Sequence, residues 1–271
     1  MIFTLLTFGL TWAVWVPRAA GVEVGVVGQL WTWAPAVAAV LCAALTAGRA
    51  GVADLGRRLV RWRVGWRWYP IVLLGPAVFA LAVAGVQMLL GARWADVAPT
   101  ALTLSLPTLL LTLVLLTVTD GLGEEVAWRG YALPRLLDRF NPVPASLILG
   151  ALWATWHLPL IWTDGAAIEG LPVWLLYGDV GAKSLIFTWV FLRTQGSVLI
   201  AALLHASTNL FAVSPAILGP GDLAVASGAM AAKWLLALAL FALARPPRTP
   251  SPRLESVEGP TSHPSTGSGP G

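Results

Sequence analysis

Residues 123–159, GEEVAWRGYALPRLLDRFNPVPASLILGALWATWHLP, set two adjacent carboxylates, an arginine and a histidine into a chain that is otherwise 57% hydrophobic and only 11% charged. Ionisable groups in apolar surroundings are costly unless they have a partner or a task. Glu124, Glu125, Arg129 and His157 are therefore where chemistry is to be sought, and the apolar runs around them decide the fold.

The 271 residues have a mean hydropathy of +0.76 and include fifteen Trp, a composition that argues for an integral membrane protein. A crossing takes about 20 apolar residues. Eight candidate spans are read at Ile2–Val16, Leu30–Ala47, Pro70–Leu90, Ala101–Thr119, Ala145–Trp162, Pro172–Leu192, Ser197–Val213 and Gly228–Ala244. The first lacks the basic flank and small-residue cleavage site of a removable leader and is taken as a retained helix. The expected fold class is all-α, a polytopic helical bundle. Its membrane domain covers 1–244, and a disordered cytoplasmic tail rich in Pro, Ser, Thr and Gly covers 245–271.

With the N-terminus inside, thirteen of the seventeen basic residues fall in inside loops or the tail, including Arg57, Arg58, Arg61, Arg63, Arg67, Arg129, Arg193, Arg245, Arg248 and Arg253. Only Arg18 and Arg93 fall outside. That asymmetry predicts eight crossings with both termini cytoplasmic, and a bacterial cell membrane is the expected location. The net charge of +4 is thus a topology signal and not a nucleic-acid footprint. Cys42, the one cysteine, excludes a disulfide framework and a thiolate metal site.

Between spans two and three, GRAGVADLGRRLVRWRVGWRWYP mixes Arg with Trp and Tyr, as suits a loop anchored at the headgroup layer. Helix-compatible residues continue from span four past Thr119 to Leu137, so a long or broken helix is expected there. Asn141-Pro142-Val143-Pro144 ends it. Asp179 and Lys183 share a helical face at four-residue spacing and form a structural ion pair. Lys233, near the outer end of span eight, snorkels to the interface. His263 belongs to the tail.

Three motifs carry the polar groups. Glu125 and Arg129 pair at i, i+4, while Glu124, about 100° around the helix, points elsewhere. His157 lies one turn beyond Trp153. His205 and Asn209 in LLHASTN share a face. Both histidines sit about 8 to 12 residues from the cytoplasmic start of their helices, a depth of roughly 12–18 Å, so they can meet in one plane. Such a set suits attack of water on an amide: a desolvated carboxylate takes the proton, an imidazole positions the water, and imidazole and amide N–H groups hold the oxyanion. Two His and a Glu (Glu124, His157, His205) equally make a zinc site, in which the metal activates water. The H-E-x-x-H spacing is absent. The bland readings are a hydrogen-bonded structural histidine and a Glu–Arg pair that pins helices.

GEEVAWRGYALPRL, WATWHLP and HASTN resemble the E-E-x-x-x-R, F-x-x-x-H and H-x-x-x-N motifs of the CPBP intramembrane proteases. That family includes the type II CAAX prenyl proteases and bacteriocin-processing and immunity-associated relatives. The resemblance covers about 106–213. It implies that Glu124 activates water with His157, that His205 and Asn209 bind the carbonyl oxygen, and that Glu125 and Arg129 orient the site. Trp153 stands where the family usually has Phe, a change expected to preserve packing. The implied partners are a peptide or protein substrate, prenylated CAAX-type or a leader peptide, reached from the membrane or cytoplasmic side, and the lipid bilayer, with zinc as cofactor only in a metal-dependent mechanism. The alternative is a non-proteolytic bacteriocin-immunity or scaffold protein of the same fold. A transporter using Glu124 and the Asp179–Lys183 pair is weaker.

Overall fold

The computed structural model describes residues 1–25, 28, 31–212 and 220–244. Among them every regular element is helical. Seven helices are long and apolar enough to cross a membrane, which makes the chain a polytopic helical bundle and an integral membrane protein. They are α1 (Ile2–Ala19), α2 (Ala34–Leu59, entered through a 3-10 turn at Trp31–Trp33), α3 (Trp68–Leu89), α4 (Leu106–Leu137), α5 (Pro142–His157, prolonged by a 3-10 turn at Leu158–Trp162), α6 (Val173–Arg193) and α8 (Pro220–Leu243). The span expected at Ser197–Val213 is the shorter α7 (Val198–Leu210). Its 13 residues reach about 20 Å at 1.5 Å per residue, less than the hydrocarbon thickness of about 30 Å. The expected tail from Arg245 onward, His263 included, lies outside the described residues.

Helix ends follow local chemistry. Ser197 caps α7 by accepting from the Ile200 N–H at 3.2 Å, and Pro142 opens α5, where its missing N–H costs nothing. The apolar run that starts α2 stops at Gly48, whose φ of +56° and ψ of −144° bend the helix in a conformation few other residues adopt. Residues after the bend form a short basic helix where a loop was expected. Arg57 and Arg58 both pair with Asp54 on it, and buried Leu55 packs against Gly130 of α4.

α6 is the most enclosed span. Its Leu175, Leu176, Val180, Phe187, Val190 and Phe191 belong to the hydrophobic core, with α5 on one side and α8 on another. Asp179 and Lys183 pair at 2.7 Å as their spacing implies. Lys233 does not snorkel. It lies in the middle of α8 and gives its ammonium to the second oxygen of Asp179. The carboxylate has two oxygens and receives one lysine on each, so an interhelical partner replaces the water that snorkelling would have reached. Trp234 joins α8 to α6 beside it, donating Nε1–H to the Gly178 carbonyl at 2.9 Å.

Candidate active site

α4 is one continuous 32-residue span whose middle is not a regular α-helix. Two π-helical stretches, Thr117–Gly121 and Val126–Ala132, flank a single α turn, Leu122–Glu125. π turns are rare and gather at functional sites, and here they bracket the adjacent carboxylates. At the first, α7 comes close: a Cβ on Gly121 would lie 2.6 Å from the Ala202 carbonyl oxygen. Only a glycine there lets the two helices approach so nearly.

Glu124, Glu125 and Arg129 are 3%, 0% and 0% exposed. The two carboxylates diverge, as neighbours about 100° apart must. Glu124 turns to tryptophans: Trp153 of α5 donates Nε1–H to Oε2 at 2.5 Å, and Trp128 donates to the same oxygen at 3.3 Å. Glu125 turns to α7 and Arg129. Its Oε1 accepts from an Arg129 guanidinium N–H at 2.9 Å and from His205 Nδ1–H at 2.8 Å. The Arg129 guanidinium lies over the Trp153 and Phe187 rings, 4.4 and 4.7 Å from their centroids, so cation–π attraction supplements its ion pair.

His205, 4% exposed, faces both carboxylates. With Nδ1 on Glu125, its Nε2 lies 3.8 Å from Glu124 Oε1. His157 packs against Trp153 as well. The ring centroids of His157 and His205 are 6.0 and 5.6 Å from that indole. The Trp153 carbonyl accepts from His157 Nδ1–H at 2.9 Å, and because a carbonyl only accepts, this fixes the tautomer and presents Nε2. Trp156 packs edge-on against the His157 ring at 4.6 Å. His157 thus adjoins the site through Trp153, with no hydrogen bond to Glu124 among its contacts. Asn209 is exposed at the rim, and its Nδ2 donates to Asp120 Oδ2 at 3.1 Å.

Two features go beyond the sequence reading. Trp153 was expected to replace Phe as packing, yet its N–H is the shortest contact that Glu124 makes. Asp120 carried no role, although it stands four residues before Glu124 as Asn209 stands four after His205. That pairing of spacings was the available signal. The proposed zinc ligands do not converge: among the described residues no group of three or more His, Cys, Asp or Glu side chains could hold a metal ion. Glu124 Oε2 already accepts from two indoles, and His205 Nδ1 is bound to Glu125. No step is therefore assigned to a metal.

Residues 104–211 match the family model described as type II CAAX prenyl endopeptidase Rce1-like. This segment contains Glu124, Glu125, Arg129, His157, His205 and Asn209. The chain is also 33% identical over 95 residues to CAAX prenyl protease 2 of Methanococcus maripaludis, an alignment covering 32% of this chain and 34% of that protein. It thus spans about a third of the length of the curated relative it matches.

Proposed function

We propose that this chain, whose segment 104–211 matches the type II CAAX prenyl endopeptidase Rce1-like model, is an endopeptidase of the CPBP kind that cleaves a membrane-associated substrate using water activated by Glu124. The observation that carries this reading is how Glu124 is held. Its carboxylate is 3% exposed, its Oε2 accepts from two indole N–H groups, and its Oε1 is turned towards His205. An oxygen with two donors on it is a poorer proton acceptor than its partner, so Oε1 takes the proton from water. The hydroxide attacks the scissile carbonyl carbon, and N–H donors of His205 and Asn209 hold the resulting oxyanion. Glu125 orients the His205 ring through Nδ1 and balances its charge when Nε2 donates. The proton on Glu124 then passes to the leaving amine as the C–N bond breaks. His157 presents Nε2 to orient the attacking water.

The substrate class is a prenylated CAAX-type protein or a leader peptide, reached from the cytoplasmic side of a bacterial cell membrane. The name of the M. maripaludis relative supports the first of these. The test compares membrane-protein termini by mass spectrometry in cells expressing the wild type or Glu124→Gln at matched levels. New termini are expected with the wild type only, since removing a general base costs about 10²–10⁴ in rate. Identical termini in both would move the reading to a non-proteolytic immunity or scaffold protein. On the purified chain, activity should persist after chelation; loss that zinc restores would overturn the glutamate mechanism.

A further inference from the structure

Helices α4 and α7 are joined by two polar rungs. One is Glu124 and Glu125 against His205; the other, one turn away on both helices, is Asp120 against Asn209. The close approach of Gly121 to the Ala202 backbone brings the same two helices together. The first rung belongs to the mechanism above. The second has no assigned part in it beyond Asn209, and Asp120 is the unexplained member.

An asparagine amide has a donor end and an acceptor end, and only the donor end can hold an oxyanion. Nothing in the amide itself chooses between them: a half-turn about the last side-chain bond exchanges the two at nearly the same shape. An ionised carboxylate accepts hydrogen bonds and donates none. With Asp120 Oδ2 3.1 Å away, the amide must present its NH₂ to that side, and Nδ2 keeps a second N–H. Among the described residues Asp120 has no other hydrogen-bond partner, and Asn209 is exposed at the rim, where packing alone does not lock a rotamer.

We infer that Asp120 is a positioning residue for the hydrolysis: it holds the Asn209 amide with its NH₂ end towards the reacting carbonyl oxygen. This rests on the protease reading. Its consequence is selective. The bond between Asn209 and the substrate oxygen strengthens as the oxyanion forms, so losing the orientation lowers kcat and leaves KM nearly unchanged.

The experiment uses the full chain in lipid vesicles and a fluorogenic farnesylated peptide ending in a CAAX sequence. Asp120→Ala should lower kcat by about tenfold, a fraction of the 10²–10³ that follows outright loss of one oxyanion donor, with KM within about twofold. Asp120→Asn keeps the shape but can present either end of its own amide, so it no longer dictates the orientation and should be nearly as poor as Asp120→Ala. In an Asn209→Ala background, Asp120→Ala should have no further effect on kcat, because its role runs through the amide it orients. Equal losses from Asp120→Ala in both backgrounds, or Asp120→Asn as active as the wild type, would overturn the inference while leaving the protease reading intact. A wild type that cleaves no better than Glu124→Gln would overturn both. The same four chains give a thermal-stability cycle, which shows whether residues 120 and 209 are coupled: additive Tm shifts there would also count against the inference.

Discussion

Trp153 shows how one atom can change the part a residue plays. Phenylalanine at this place would fill the same space between His157, His205 and Phe187, but would leave Glu124 Oε2 with Trp128 alone, at 3.3 Å. A hydrogen bond to a buried charge contributes about 1.5–3 kcal/mol net. Trp153→Phe is therefore expected to destabilise the protein by about that amount and to lower kcat, measured by denaturant titration and by peptide hydrolysis. A variant of unchanged stability and rate would show that the indole merely packs. At this scale the sequence was legible wherever a partner sits four residues away on the same helix. Glu125 and Arg129 meet as i, i+4 spacing requires, and Asp179 meets Lys183. It was not legible wherever the partner comes from another helix. Nothing in the order of residues says that Trp153 reaches across 29 positions to Glu124, or that Lys233 reaches 54 to Asp179, because those contacts depend on how the helices are rotated against one another.

The element that makes the site is α4. Its apolar run ends at Thr119, yet the helix continues to Leu137, since residues 120–137 pack against other helices and need not be lipid-compatible. The sequence reading anticipated a long helix there and allowed for a break. It did not anticipate two π turns. α7 was expected as a full crossing because it belongs to a candidate span read from Ser197 to Val213. Its shortness reflects its neighbours, α3, α4 and α6, which let it carry His205 and Asn209 without facing lipid along its length. Gly121 is the hinge of this arrangement. In an ordinary helix interior, replacing Gly with Ala stabilises by up to about 1 kcal/mol. At Gly121 the added Cβ would sit 2.6 Å from a backbone oxygen, so α7 must shift, and overpacking of this kind costs about 1–3 kcal/mol. Gly121→Ala should therefore lower both stability and activity. Gly75→Ala in α3, where a Cβ meets nothing within 4 Å, should leave both unchanged or raise stability. Opposite signs at the two sites, read as shifts in Tm, are the expected result; equal shifts would mean that the α4–α7 approach is not tight.

Helix contacts sort the loops into two faces of the molecule, independently of charge. The α2–α3 connector reaches the α6–α7 turn through Ser197 Oγ, which donates to the Arg61 carbonyl at 2.6 Å. The end of α8 joins this face, where the Ala244 carbonyl accepts from Trp189 Nε1–H at 2.8 Å. Trp234 meets Gly178 and Ala244 meets Trp189, so α6 and α8 run parallel, and the chain between them must return across the bundle. α7 (Val198–Leu210) makes part of that return. On the opposite face, Arg18 and Asp164 line one surface depression of about 500 Å³. The basic residues divide along the same boundary, with Arg57, Arg58, Arg61, Arg63 and Arg193 beside the α2–α3 connector and the α6–α7 turn. The positive-inside bias then assigns that face to the cytoplasm. Orientation can be read without removing any basic residue: with buried Cys42 replaced by Ala, single cysteines are placed at exposed Trp66 on the first face and exposed Ala95 on the second. A membrane-impermeant maleimide added to intact cells should label Ala95→Cys and should reach Trp66→Cys only after permeabilisation. The reverse pattern would turn the molecule over and put the α2–α3 connector and the α6–α7 turn outside.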